Sequence, residues 1–224
     1  MNTQLNEETV DGKQQTETES PSHAVQQSPQ QSSVCRYLLS ICLFLTIFLA
    51  GFSADLLTKN WAFQTLGMPG MHKFDTEPEL KGVYWIWQDV FGFQTSLNSG
   101  ALFGFLGGQT TILVTFSLTF LFGIAVYFLL WAWRSWLFTV VLGMIMAGIC
   151  GNLYDRLGWH GLVYPEGYPL EIAGQPIYAV RDWILCMIGT FPWPNFNIAD
   201  SLLVCSVILL LLFGFKEEKL EGLP

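Results

Sequence analysis

The sequence predicts a membrane α-helical protein: a bundle of four transmembrane helices with a small strand-containing platform on its outer (periplasmic) side. Three observations predict it. The 224 residues are 51% hydrophobic and only 12% charged, with 9 Trp and 18 Phe, too apolar and aromatic for an ordinary soluble domain. Four apolar stretches, 37–54, 111–133, 136–151 and 198–215, approach the roughly 20 residues needed to cross a hydrocarbon core. Two long aromatic, glycine-bearing segments, 62–110 and 156–197, separate the first stretch from the second and the third from the fourth, which puts both on one side of the bundle.

Taken in order, residues 1–34 are rich in Gln, Ser, Thr and Glu without apolar periodicity, and they are expected to form a disordered, acidic cytoplasmic tail. Glu7, Glu8, Asp11, Glu17 and Glu19 against Lys13 account for half of the formal charge of −8, and nothing in the charge pattern suggests nucleic acid. The first apolar stretch is not expected to be a cleaved leader. The tail before it is long and acidic, and no A-x-A-like site follows it. It ends at Asp55-Leu56-Leu57-Thr58-Lys59. In the segment that follows, 82–87 has strand-like composition and 91–98 alternates roughly apolar and polar.

Crossings two and three are joined only by Trp133-Arg134-Ser135, which requires an antiparallel helical hairpin. Gly143, Ala147, Gly148 and Gly151 give crossing three a small-residue face suited to close helix approach. The membrane domain is expected to span 35–215, followed by a short cytoplasmic tail, 216–224. Lys and Arg counts on the two sides tie. The cations on the terminal side flank helices, whereas Lys59, Arg156 and Arg181 each neighbour an Asp, so both termini are expected in the cytoplasm.

This topology gathers Asp55, Asp155, Asp182 and Asp200 on the outer side, and an ionisable group at a bilayer boundary is a functional-site hypothesis by default. Two carboxylates reaching one water cannot both ionise easily, so one keeps a proton while the other acts as base. The three histidines form no H-E-x-x-H, and no G-x-S-x-G elbow or phosphate loop is present. A Ser53 and Lys59 pair stays open. The five cysteines lack C-x-x-C spacing and read as small buried hydrophobes, so no metal is expected.

Five blocks occur in order between the crossings: Asp55-Leu56-Leu57-Thr58-Lys59, Asn98-Ser99-Gly100-Ala101-Leu102-Phe103-Gly104, Gly151-Asn152-Leu153-Tyr154-Asp155-Arg156, Val180-Arg181-Asp182-Trp183 and Phe196-Asn197-Ile198-Ala199-Asp200-Ser201. On these blocks the chain resembles bacterial lipoprotein signal peptidase, also called signal peptidase II, a four-helix membrane aspartyl peptidase. The resemblance implies that Asp182 and Asp200 are the catalytic pair, with Asp155 and Asp200 as the rival pairing. Asp200 gains stabilisation of its anion from the start of crossing four, leaving Asp182 the more readily protonated. Asn98, Gly100, Asn152, Arg156 and Asn197 are expected to line or support the site, Asp55 and Lys59 to pair, and Asp155, beside Arg156, to support structure. The plain alternatives are a helix cap for Asn197 and a snorkelling cation for Lys59.

The resemblance further implies an inner-membrane enzyme with no cofactor and no obligate protein partner, working at the outer face. Its substrates would be prolipoproteins bearing a diacylglyceryl cysteine, cut on the amino side of that residue. Aromatic residues including Trp61, Trp85, Trp87 and Phe103 suit an interfacial cradle. The chain departs from the family at Leu102, at Trp183 and in the long interval between Asp155 and Asp182. A proton-coupled transporter using Asp55, Asp155 and Asp200 is the alternative from another class, although the acids cluster at one boundary rather than the midplane. An assembly protein whose acids merely end helices is a third.

Overall fold

The computed structural model describes residues 29–70, 82–100, 110–169 and 171–214. Residues 1–28 of the expected tail, the 101–104 part of the second block and the 216–224 tail lie outside those described. The elements are α1 (Pro29–Thr65), β1 (Tyr84–Trp87), β2 (Phe91–Asn98), α2 (Thr110–Leu130), α3 (Trp136–Arg156), β3 (Val180–Ile188), β4 (Phe191–Pro192) and α4 (Ile198–Leu209), which continues as a π-helical turn over Leu210–Gly214.

Helix α1 is longer at both ends than apolarity alone suggests. It starts at Pro29, a residue suited to a first helical position, and so takes in residues 29–34 that composition placed in the tail. At the other end it runs on through Asp55 and Lys59 to Thr65. These two residues do not stop the helix because, one turn apart, they neutralise each other on its buried face. Its 37 residues reach about 55 Å, so α1 is long enough to span a bilayer core and still carry turns beyond it.

Helices α2 and α3 form the expected hairpin through a 3-10 turn, Ala132–Arg134. The Ser135 side chain caps α3 by accepting from Phe138 N at 3.2 Å. The N-terminal part of α1 closes the turn from the side: Ser40 Oγ donates to Trp133 O at 2.8 Å, Arg36 donates to Arg134 O, and Tyr37 meets Trp133 edge-on. Turn carbonyls that have no partner within their own helix are thereby satisfied. Three helices, 33–65, 110–130 and 136–156, are long and apolar enough to cross a membrane, and 198–213 is a shorter apolar helix.

Helix α3 is the centre of the bundle, packed against α1, α2 and α4. Its small residues permit this. Gly143 faces Ile47 and the Phe44 carbonyl of α1, and Gly148 faces the Ala199 carbonyl and Leu203 of α4. One apolar cluster, Phe44, Ile124, Phe128, Ala132 and Leu142, fills the hairpin end of the bundle, with Phe44 and Phe128 stacked at 4.2 Å.

A second cluster, Ala62, Phe63, Leu66, Trp183 and Ile184, joins the last turns of α1 to an antiparallel sheet of order β1-β2-β3-β4. Trp61, Phe93 and Trp183 meet edge-to-face at 5.0–5.7 Å beneath it. Strand β2 coincides with the alternating stretch, whereas β3 was not anticipated. In the β2–β3 register Ser96 opposes Asp182 and Asn98 opposes Val180.

Overpacking at the α3–α4 contact gives a measurable prediction. A Cβ at 148 would stand 2.6 Å from Ala199 O and 2.7 Å from Leu203 Cγ, whereas one at Gly123 meets nothing within 4 Å. Gly148→Ala should lower thermal stability in detergent by about 1–3 kcal/mol, while Gly123→Ala leaves it unchanged or raised.

Candidate active site

The candidate site is built where the ends of α1 and α3, the first residues of β3 and the start of α4 meet. Helical spacing puts Asp55 and Lys59 on one face of α1, and Asn152, Asp155 and Arg156 on one face of α3. Lys59 Nζ lies 2.7 Å from Asp55 Oδ2 and 3.1 Å from Asp155 Oδ2, with all three side chains 0% exposed, and donates to Asn152 Oδ1 at 3.2 Å. It does not snorkel. Arg181 of β3 donates to Asp155 Oδ1 from Nε at 3.0 Å and from Nη2 at 2.9 Å. Its backbone N–H reaches Asp155 Oδ2 at 2.9 Å and its Nη1 reaches Asn60 Oδ1 at 2.6 Å. Two cations and two carboxylates thus form a closed, formally neutral quartet.

Asp155, expected to support structure, is answered by Arg181 and Lys59. Its neighbour Arg156 lies within electrostatic reach of Asp200, Asp182 and Asp155 and lines the adjoining cleft. Its Nη2 reaches Gly100 O at 3.5 Å, and its buried Nε has no partner among the described residues. The guanidinium therefore keeps donor capacity. Sequence reading passed over Arg181, Asn60 and the Ala199 amide as site components. Arg181 was signalled by being next to Asp182 in an extended block: side chains i and i+1 of a strand point to opposite faces, so a buried Arg there needs another acid.

Two asparagines connect the quartet to the remaining carboxylates. Asn197 is the N-cap of α4, accepting from Asp200 N at 2.9 Å, while Asp200 Oδ2 accepts from Asn197 N at 3.2 Å in a reciprocal capping box. The Asn197 Nδ2 donates to Asp182 Oδ1 at 2.6 Å and to Asn152 Oδ1 at 3.1 Å. Asn152 Nδ2 donates to Asp200 Oδ1 at 2.8 Å. Asn197 is thus a cap and a bridge at once, touching both Asp182 and Asp200. Asp55 belongs to the same assembly, because its Oδ1 accepts from the Ala199 backbone N–H at 2.9 Å.

The two bridged acids differ in surroundings. Asp182 is 1% exposed, and burial, reinforced by the nearby Asp200 charge, pushes its carboxyl up to about 7 against the weaker opposing pull of hydrogen bonds from Asn197 and Asn98 and of the Lys59 charge. Asn98 sits diagonally across the β2–β3 pair on the same face as Asp182. Asp200 lies in the first turn of α4, where two donors and the helix N-terminus suit a carboxylate. It opens onto a cleft of about 680 Å³ that also takes in Asn98, Gly100, Asn152 and Arg156, and that continues down α4 past Leu203, Val204 and Cys205, with Trp193 to Phe196 as its other wall. Among the described residues no His, Cys, Asp or Glu cluster is arranged to hold a metal ion.

The sequence profile described as Signal peptidase (SPase) II matches residues 47–216, which contain every residue of this site. The chain belongs to the signal peptidase II family. It is 40% identical over 175 residues to a lipoprotein signal peptidase of Rhodopirellula baltica, covering 77% of this chain and 71% of that protein. A lipoprotein signal peptidase of Clostridium novyi is 29% identical over 173 residues, covering 77% and 97%. A bacterial membrane enzyme solved by the in meso method shares the fold with a TM-score of 0.57 at 23% identity, over 80% of this chain and 89% of the other. As a member of this family the protein is a membrane enzyme and a hydrolase.

Removing one member of the quartet leaves uncompensated charge in a dry interior. Lys59→Met is expected to destabilise the protein by about 3–5 kcal/mol, read as loss of folded, monodisperse protein in detergent. Lys59→Met with Asp55→Asn removes one charge of each sign and should recover much of that loss.

Proposed function

We propose that this protein is an aspartic endopeptidase that removes signal peptides from diacylglyceryl-modified prolipoproteins by cleaving on the amino side of the lipidated cysteine. One observation carries the reading: Asp182 and Asp200 are held by a single asparagine, one buried and favouring its proton, the other facing a mostly apolar cleft. The names of the similar proteins from Rhodopirellula and Clostridium support the substrate class.

In the proposed reaction a water bound between the acids gives a proton to the Asp200 carboxylate while its oxygen attacks the scissile carbonyl carbon. Asp182 donates its proton to the carbonyl oxygen. Collapse of the tetrahedral intermediate breaks the C–N bond as the proton on Asp200 passes to the leaving nitrogen and a hydroxyl of the intermediate returns its proton to Asp182, which restores the singly protonated pair. Arg156, with Asn98 and Gly100 at the polar end of the cleft, holds the substrate backbone, and the Leu203–Val204–Cys205 side of α4 receives its apolar part. Asp55, Lys59, Asp155, Asn152 and Asn197 position the pair.

The same reading takes residues 35–215 as one membrane domain in which 198–215 is a fourth crossing, with both termini cytoplasmic and the sheet and cleft on the outer face. A substrate carried by acyl chains diffuses in the membrane plane, so a cleft open along a helix at the bilayer boundary meets the peptide where lipid and chain join.

Asp182→Asn and Asp200→Asn should each lower cleavage of a purified diacylated prolipoprotein by about 10²–10⁴-fold while the variants remain folded, and unimpaired processing by either variant would defeat the assignment. The pH profile supplies a separate check. Asp182 holds its proton below about 7 and loses it above, and the working form carries one proton on the pair, so cleavage should fall on an alkaline limb near pH 7.

A further inference from the structure

Apart from His160, whose ring lies within electrostatic reach of Arg181, Asp155 and Lys59, the segment between α3 and β3, described over 157–169 and 171–179, stands outside the site, and it is a folded unit. Ile177 N donates to Leu162 O at 3.0 Å, Tyr164 N to Gln175 O at 3.0 Å and Gly174 N to Tyr164 O at 2.7 Å, with Val163 bridged to Pro176. The pairing makes a two-stranded ribbon whose side chains alternate between faces. The inner face is buried: Ile177 and Ala179 are 0% and 3% exposed, and Leu162 packs on the Trp183 cluster. At its far end the Tyr168 hydroxyl donates to Pro69 O beyond α1, which fixes the ribbon to the bundle.

The outer face is apolar and uncovered, with Val163 50% and Tyr178 53% exposed. Tyr178 lies over Gly158, where a Cβ would stand 2.8 Å from its ring, and next to Gly158 is Trp159, 67% exposed. Trp159 meets Tyr154 of α3 edge-on at 5.8 Å, and Tyr154 meets Phe52 of α1 at 6.2 Å. This surface continues without a break from the membrane-spanning helices, and none of its residues lines the cleft. Charge follows the same axis. The ribbon's carboxylates, Glu166 and Glu171, are exposed and belong to its far end, away from the helix end where the aromatic residues sit.

We propose that the 157–179 ribbon is a membrane anchor, its Trp159, Val163 and Tyr178 face seated at the headgroup boundary of the bilayer that holds the helices. Aromatic residues with one polar atom favour that depth, and the acidic tip extends into water. The anchor holds β3, which begins at the end of the ribbon, at a constant height above the lipid, and with it Asp182.

The test is made on the full chain with native cysteines replaced, reconstituted in vesicles and spin-labelled at Val163→Cys, Tyr178→Cys or Glu171→Cys. The ratio of oxygen to aqueous nickel-chelate accessibility should be several-fold higher at 163 and 178 than at 171. Equal ratios at the three positions would overturn the proposal, as would labels at 163 and 178 shielded from both reagents, the result for a face covered by a second copy or another protein. On the unaltered chain, lipids brominated near the headgroup should quench Trp fluorescence, and Trp159→Phe should remove part of that quenching. Quenching unchanged by the substitution counts against the anchor.

Discussion

Asp155 is the hinge pin of the molecule, a buried carboxylate gripped by Lys59 of α1 and by both the side chain and the backbone N–H of Arg181 in β3. Taking four charges out of water is expensive, and the mutual attraction of a buried group offsets that only if every charge is answered. Here the answers come from three elements far apart in sequence. Lys59 also pairs with Asp55, and Asp55 accepts from the first turn of α4 at Ala199, so the same closed circuit sets the positions of α1, α3, β3 and α4. An apolar contact would tolerate sliding by a fraction of an ångström. A circuit of hydrogen bonds between 2.6 and 3.2 Å does not.

The circuit is kept apart from the candidate acids by neutral amides. Lys59 stops at Asn152, and Asn152 and Asn197 carry the connection on to Asp200 and Asp182. A cation placed directly against Asp182 would favour its anion and undo the effect of burial; through an intervening asparagine its opposing pull is weak. Amides transmit position while adding no charge. This explains why a site rich in ions stands next to a carboxyl that is held up near neutrality, and why Asn197 and Asn152 occur at the junction rather than Asp, Lys or Arg.

Much of this was legible from residues alone, and the gaps have physical causes. Strand β2 alternates because one face packs and the other is partly open, and its bounds match the alternating stretch 91–98. The small residues of α3 signalled close helix contacts that the structure contains at Gly143 and Gly148. Asp55 and Lys59, one turn apart, suggested their own pairing. Strand β3 escaped because its first six residues are buried, so it neither alternates nor forms a purely apolar run, and Gly and Pro crowd the segment before it. The partners of Asp155 escaped because both lie far from it in sequence. Only the fold brings position 181 against 155, and no spacing rule encodes a contact between a helix end and a strand start.

Depth completes the physical picture. Helix α3 has 21 residues, about 32 Å at the rise of an α-helix, close to the roughly 30 Å of a hydrocarbon core. Asp155 is its penultimate residue, so on the proposed topology the quartet bound to it lies at the edge of that core, and the remaining turns of α1, from Asn60 to Thr65, which carry the aromatic cluster beneath the sheet, stand in the headgroup layer. The four charged side chains are 0–2% exposed, so bulk water does not solvate them separately. Asp182 and Asp200, each one or two hydrogen bonds from Asn152, inherit the same depth. The cleft leaves Asp200 and runs along α4 past Leu203, Val204 and Cys205, so under the proposed function a chain lying in it would have its polar atoms at the boundary and its apolar groups toward lipid. On that reading the length of α3 sets the height at which a substrate arriving from the membrane is met.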